Sequence, residues 1–122
     1  MKILGVKIDQ VTYQEALEKA KALIDAGGSH YVVTPNPEIV VKANRDQQLR
    51  QILNNADLSV PDGMGLVILG RLTGRSIPER VTGVNLLDGL AALATERGFN
   101  VFLLGAGEGV AEKAANKPRE VV

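Results

Sequence analysis

The chain has 122 residues, 45% hydrophobic and 23% charged, with 14 basic and 14 acidic side chains giving zero formal charge, the mix and length of one domain around one core. That balance argues against a broad nucleic-acid footprint, and an aromatic content of 3% argues against stacking platforms for single strands. Without cysteine there is no disulfide, thiolate chemistry or thiolate zinc site, and with neither a signal peptide in "MKILGVKIDQ" nor a membrane-length apolar run, a cytoplasmic protein is expected.

In chain order, "KILGVKI" (2–8) predicts a strand. "TYQEALEKAKALIDAGG" predicts a helix with a capping box from Thr12 and Glu15, a stop at Gly27, and Ala16, Leu17, Ala20, Leu23 and Ile24 at helical spacing. "HYVVT" (30–34) is a short apolar strand, followed by a helix with Asn36 at its N-cap and Pro37 at its first position. A further helical piece, "DQQLRQILNNA", buries Leu49, Ile52 and Leu53, and "DLSV" is the third strand. "GMGLVILGRLTG" (63–74) predicts a helix ended by Gly74, and "NLLDGLAALATERG" another with Leu86, Leu87, Leu90 and Leu93 buried. "NVFLLG" (100–105) is the fourth strand, before a helix "EGVAEKAANK" that Pro118 stops. Strands alternate with helices, so the fold class is α/β, Rossmann-like, a mainly parallel sheet flanked by helices.

Ligands of open α/β sheets bind beyond the carboxyl ends of the strands. Three segments fall there: "TPNPE" (34–38), "PDGMG" (61–65) and "GAGEG" (105–109). Thr34 and Asn36 offer a hydroxyl and an amide before a helix start, where Asn36 also serves as a cap. Asp62 has two readings. An aspartate after Pro61 caps the next helix, or its carboxylate, ionised in water at neutral pH, takes a proton from an attacking hydroxyl. Gly63 and Gly65 let a backbone approach a ligand closely. "GAGEG" fails the dinucleotide fingerprint, since its third glycine, Gly109, comes one residue early. Gly105 and Gly107 still form a glycine-rich turn at a helix start, suited to a diphosphate. Arg80, in "RLTGRSIPER", is a candidate phosphate partner because its planar fork matches two oxygens. His30 is the single histidine and reads as structural. No D-x-D element anchors a divalent ion, and no metal or cofactor is expected.

Taken together, "TPNPEIVVKA", "ADLSVPDGMGLV", "ERVTGVNLL" and "VFLLGAGEGVAEKAA" resemble, in that order, bacterial glycosyltransferases of the WecG/TagA/CpsF family. The resemblance runs from about Ile3 to Ala115. It implies transfer of N-acetylmannosamine, or a related sugar, from a UDP donor to a polyprenyl-diphosphate-linked sugar in teichoic-acid or surface-polysaccharide synthesis, without a metal and by an inverting single displacement. It also implies roles: Asp62 as catalytic base, Thr34 and Asn36 lining the pocket, Gly63 allowing close approach, Arg80 near the charged groups, and Gly105 and Gly107 by the UDP. Members are considerably longer, so residues 1–122 are expected to be a single domain lacking the C-terminal half, whose full-length forms contact the membrane peripherally. The alternatives are a catalytically incomplete domain that folds or pairs its exposed sheet edge with a second copy, and a dinucleotide-binding module resting on "GAGEG" alone.

Overall fold

The computed structural model describes residues 1–74, 77–78 and 81–102. The chain divides into two compact units, Met1–Leu87 and Asp88–Val122.

The first unit opens with a hairpin where a single strand was expected. β1 (Lys2–Ile3) and β2 (Val6–Lys7) pair antiparallel, with Lys2 opposite Lys7 and Ile3 opposite Val6. Leu4 at φ 49° and Gly5 at φ 81° make the two-residue turn. Both turn residues take the left-handed conformation that matches the twist of a tight hairpin, and Gly5 does so at no steric cost. The alternating pattern of "KILGVKI" survives, but the glycine folds it in half.

α1 (Tyr13–Ala26) forms as its sequence signals require. The Thr12 hydroxyl accepts the Glu15 N–H at 3.1 Å, the Glu15 carboxylate accepts the Thr12 N–H at 3.2 Å, and Gly27 closes the helix. Its buried face is narrower than its apolar one: Ala16 and Ala20 are buried, while Leu17 and Leu23 are half-buried and Ile24 is exposed.

β3 (Val32–Val33) leads to α2 (Pro37–Arg45) and α3 (Gln47–Asn54), and then to β4 (Leu58–Ser59), which pairs parallel with β3. Asn36 caps α2 through its Oδ1, which accepts the Ile39 N–H at 2.8 Å, and Pro37 occupies the first helical position. Asp46 caps α3 in the same way through the Leu49 N–H at 3.1 Å. Of the three α3 residues expected inside, Leu53 is buried, Leu49 half-buried and Ile52 exposed.

α4 (Met64–Leu72) and α5 (Gly83–Arg97) complete the assigned elements. In α5 Leu86 is buried, Leu90 and Leu93 are half-buried, and Leu87 is exposed. Residues 100–102 carry no strand, contrary to the expected "NVFLLG" strand, and the rest of that segment and the helix after it lie outside the described residues. The α/β character holds. Among the described residues, however, the pairing is one parallel pair and one antiparallel hairpin rather than a broad parallel sheet.

The core of the first unit gathers Ile3, Val6 and Ile8 from the hairpin, Val40, Ala43 and Leu53 from α2 and α3, and Leu66, Val67 and Ile77 from α4 and beyond. Each fully buried Val, Ile or Leu contributes about 1.5–3 kcal/mol relative to exposure. This cluster packs the helices against the strands of the first unit.

Candidate active site

The β3–β4 ladder runs past its assigned residues. The Val60 N–H donates to the Val33 carbonyl at 3.0 Å, and the Asp62 N–H donates to the Pro35 carbonyl at 3.0 Å. Parallel pairing puts both carboxyl ends at one side, so Thr34, Asn36 and Asp62 become neighbours although Asn36 and Asp62 lie 26 positions apart in the chain. A third segment joins through the Val81 N–H, which donates to the Pro61 carbonyl at 2.9 Å. Pro35 and Pro61 are both buried. Their rigid rings and missing N–H groups end the regular strands there.

Asp62 does not cap the helix that follows it. Gly63 is the N-cap of α4 and makes no side-chain cap bond. The Asp62 carboxylate instead turns toward α5, where its Oδ2 accepts the Gly83 N–H at 3.2 Å. The next helix is out of reach because Gly63, at φ 128°, swings the chain away in a conformation that side-chain-bearing residues rarely adopt. Asp62 is half-buried, and its Oδ1 has no hydrogen-bond partner among the described residues. Among the described residues one oxygen is thus held and the other is left unpartnered.

The surroundings of Asp62 are tight. A Cβ on Gly65 would fall 2.8 Å from Pro37 Cγ, and one on Gly63 3.4 Å from Pro37 Cδ. The starts of α2 and α4 therefore abut. At the start of α5, a Cβ on Gly83 would fall 3.2 Å from Thr34 Oγ1. Thr34, Asn36, Asp62 and Gly63 thus share one small region of the first unit. Asn36 is committed through Oδ1 to its cap, leaving Nδ2 without a partner among the described residues.

The candidates Arg80, Gly105 and Gly107 lie outside the described residues, and with them the "GAGEG" turn on which the dinucleotide alternative rests. Among the described residues no group of three or more His, Cys, Asp or Glu side chains is placed to hold a metal ion. His30 sits away from this region. Its Nε2 meets the Gly27 carbonyl at 2.7 Å and its Nδ1 meets Asp57 Oδ1 at 3.3 Å. The Gly27 carbonyl, and after it the Asp57 carboxylate, raise the His30 pKa above its ordinary value.

Sequence reasoning missed Thr82 and Gly83. Thr82 caps α5, its Oγ1 accepting the Asn85 N–H at 3.1 Å. A threonine just before an apolar helical run signals that cap. Nothing local signals that the next N–H would serve Asp62.

Against this geometry the comparisons with known proteins are specific. The family model described as Glycosyl transferase WecG/TagA/CpsF family matches residues 1–122. Two similar proteins, from Staphylococcus aureus strains COL and MW2, are each named N-acetylglucosaminyldiphosphoundecaprenol N-acetyl-beta-D-mannosaminyltransferase. Each is 33% identical over 114 residues, covering 92% of this chain and 45% of the relative. The chain spans less than half the length of these relatives.

Proposed function

The chain belongs to the WecG/TagA/CpsF glycosyl transferase family, and from that membership we propose that it carries the acceptor-activating part of a sugar-transfer site, with Asp62 as the base. The observation that carries this reading is the placement of the half-buried Asp62 carboxylate, with Oδ2 held and Oδ1 unpartnered among the described residues, beside Thr34 and Asn36. The donor is a UDP-sugar, N-acetylmannosamine or a close relative. The acceptor is a polyprenyl-diphosphate-linked N-acetylglucosamine, the type of acceptor in the relatives' name. The product belongs to teichoic-acid or surface-polysaccharide synthesis.

In the proposed step Asp62 Oδ1 takes the proton of the acceptor hydroxyl. The hydroxyl oxygen attacks the anomeric carbon of the donor, and the bond from that carbon to the UDP oxygen breaks, its electron pair leaving with UDP. Thr34 Oγ1 and Asn36 Nδ2 line the acceptor side, and the side-chain-free Gly63 lets the sugar come close to the carboxylate. Arg80, Gly105 and Gly107 are proposed to meet the charged groups of donor and acceptor. A lipid acceptor calls for work at the inner face of the cell membrane. Among the described residues no helix is long and apolar enough to cross it.

The test is UDP release from UDP-N-acetylmannosamine with a soluble lipid-diphosphate-N-acetylglucosamine analogue, with Asp62→Asn alongside. Removing a general base typically costs about 100- to 10,000-fold in rate, so acceptor-dependent release is expected to vanish in the variant. Full activity in Asp62→Asn would refute the base assignment. A folded chain that releases no UDP in this assay would count against the proposal.

A further inference from the structure

Asp62 is held at two points by two different segments. Its N–H is tied to the Pro35 carbonyl at 3.0 Å, and its Oδ2 to the Gly83 N–H at 3.2 Å. The donor of the second bond is the first residue of α5, and that residue is firmly placed. Thr82 Oγ1 accepts the Asn85 N–H at 3.1 Å, the Leu86 N–H donates to the Thr82 carbonyl at 3.0 Å, and the Tyr13 hydroxyl donates to the Asn85 carbonyl at 3.2 Å. The helix start is thus fixed before it fixes the carboxylate.

Residue 83 is also a glycine without a backbone reason to be one. It is absent from the residues of positive φ. Its missing side chain matters for space: a Cβ there would lie 3.2 Å from Thr34 Oγ1 and 3.3 Å from Thr34 Cγ2. Both contacts are tighter than ordinary van der Waals packing, so Thr34 would have to give way. The same residue therefore sets the orientation of one candidate side chain and the position of another.

We infer that Gly83 is a positioning residue for Asp62: its N–H holds Oδ2 so that Oδ1 faces the acceptor, and its lack of a side chain lets the Thr34 hydroxyl stand against the same spot. The inference rests on the reading of Asp62 as the base. A carboxylate rotates freely about its last side-chain bonds unless one oxygen is held, and a misplacement of about 1 Å in a reacting group costs on the order of 100-fold in rate. An N–H at the first position of a helix is well suited to this duty, because it has no partner within the helix.

Two substitutions separate the two halves of the role by difference. Gly83→Ala keeps the N–H and adds the Cβ. Gly83→Pro adds the same Cβ and also removes the N–H, at a helix position where proline is well tolerated, so the gap between the two variants reads the N–H. Expected for Gly83→Pro is a fall in kcat of about 10-fold or more, short of the loss for a misplaced reacting group, with KM changed far less and the circular-dichroism spectrum retained. Gly83→Ala is expected to lose less, and Gly83→Ala with Thr34→Ser to recover part of the loss, since the γ-methyl contact is gone while the hydroxyl stays. A folded Gly83→Pro chain with the parent kcat would overturn the inference.

A readout independent of turnover comes from amide NMR of the 122-residue chain under acid titration. The Gly83 amide resonance is expected to move with protonation of Asp62 and to lose that movement in Asp62→Asn. A Gly83 amide indifferent to the Asp62 substitution overturns the positioning role whatever the activity. A Gly83 amide that follows Asp62, in a protein whose Asp62→Asn variant keeps full activity, leaves the hydrogen bond standing but overturns the base reading and the positioning role with it.

Discussion

Pro37 fills the space that a side chain at Gly65 would need: a Cβ there would sit 2.8 Å from Pro37 Cγ. The contact joins the first turn of α2 to the first turn of α4 beside Asp62, and neither partner yields easily. A proline ring at a helix start has little freedom to move. Gly65→Ala gains at most ~1 kcal/mol in helix propensity, whereas overpacking a tight contact costs about 1–3 kcal/mol. Net destabilisation is therefore expected, read as a lower urea midpoint with an unchanged slope. An alanine variant as stable as the parent would show that the two helix starts separate readily.

Asn36 offers a separation of structure from function. Asn36→Ala removes the cap on the Ile39 N–H and is expected to cost about 1 kcal/mol. Asn36→Asp caps equally well but has no N–H to donate. Denaturation midpoints should fall only for the alanine variant, while transfer activity should fall for both. Equal activity in Asn36→Asp and the parent would remove Nδ2 from the site.

Behind the site, Asp9 and Ser59 stitch the segment after β2 to β4. The Ser59 N–H donates to Asp9 Oδ2 at 2.8 Å, the Asp9 N–H donates to the Ser59 carbonyl at 2.8 Å, and the Ser59 hydroxyl donates to the Lys7 carbonyl at 2.7 Å. Ser59 is fully buried. Asp9→Ala strands a buried N–H and is expected to destabilise by about 1–3 kcal/mol, with Asp9→Asn losing less because an oxygen acceptor remains. Thermal unfolding of the pair checks the order.

His30 makes stability depend on pH with a defined sign. Both ring nitrogens face acceptors, so the doubly protonated ring fits best, and the His30 pKa lies above its ordinary 6.5. Its contribution is fully present below that ordinary value and is lost as pH rises through the raised one. Asp57, whose carboxylate accepts the Tyr31 N–H and faces His30, lies below its ordinary 3.8. Its contribution is present above 3.8 and is lost as pH falls through the lowered value. The pair is exposed, so the effect is modest. The melting temperature should fall from pH 6 to pH 8.5, and His30→Gln should flatten that fall. An identical pH dependence in the variant would show that His30 is not its source.

Much of the local structure was legible. The Thr12–Glu15 capping box, Asn36 with Pro37, and the closure at Gly27 are interactions within three or four residues, and their geometry is set by side-chain reach. The hairpin was misread because alternation in "KILGVKI" is the same for one strand or two, and only the turn geometry at Leu4 and Gly5 divides them. The buried faces of α3 and α5 were overestimated, and the buried face of α1 is narrower than its apolar one. Apolar spacing identifies the side of a helix that seeks cover but does not say how wide the opposing surface is. Ile24, Ile52 and Leu87 sit at the edges that surface does not reach.

By itself the sequence determined where α1, α2 and α3 start, which residues stand at the carboxyl ends of β3 and β4, and which family the motif set resembles. Each rests on short-range chemistry or on order along the chain. Only the tertiary structure decided what Asp62 does with its carboxylate. Read locally it faces two options, and the obvious one, capping α4, is closed by the turn at Gly63. Its partner, the Gly83 N–H, lies 21 residues away and reaches it only because parallel pairing of β3 with β4, and the contact of Val81 with Pro61, bring the start of α5 to the end of β4. A hydrogen bond across that distance carries no periodicity and no spacing rule, so it is set by the packing of the elements and is written nowhere else.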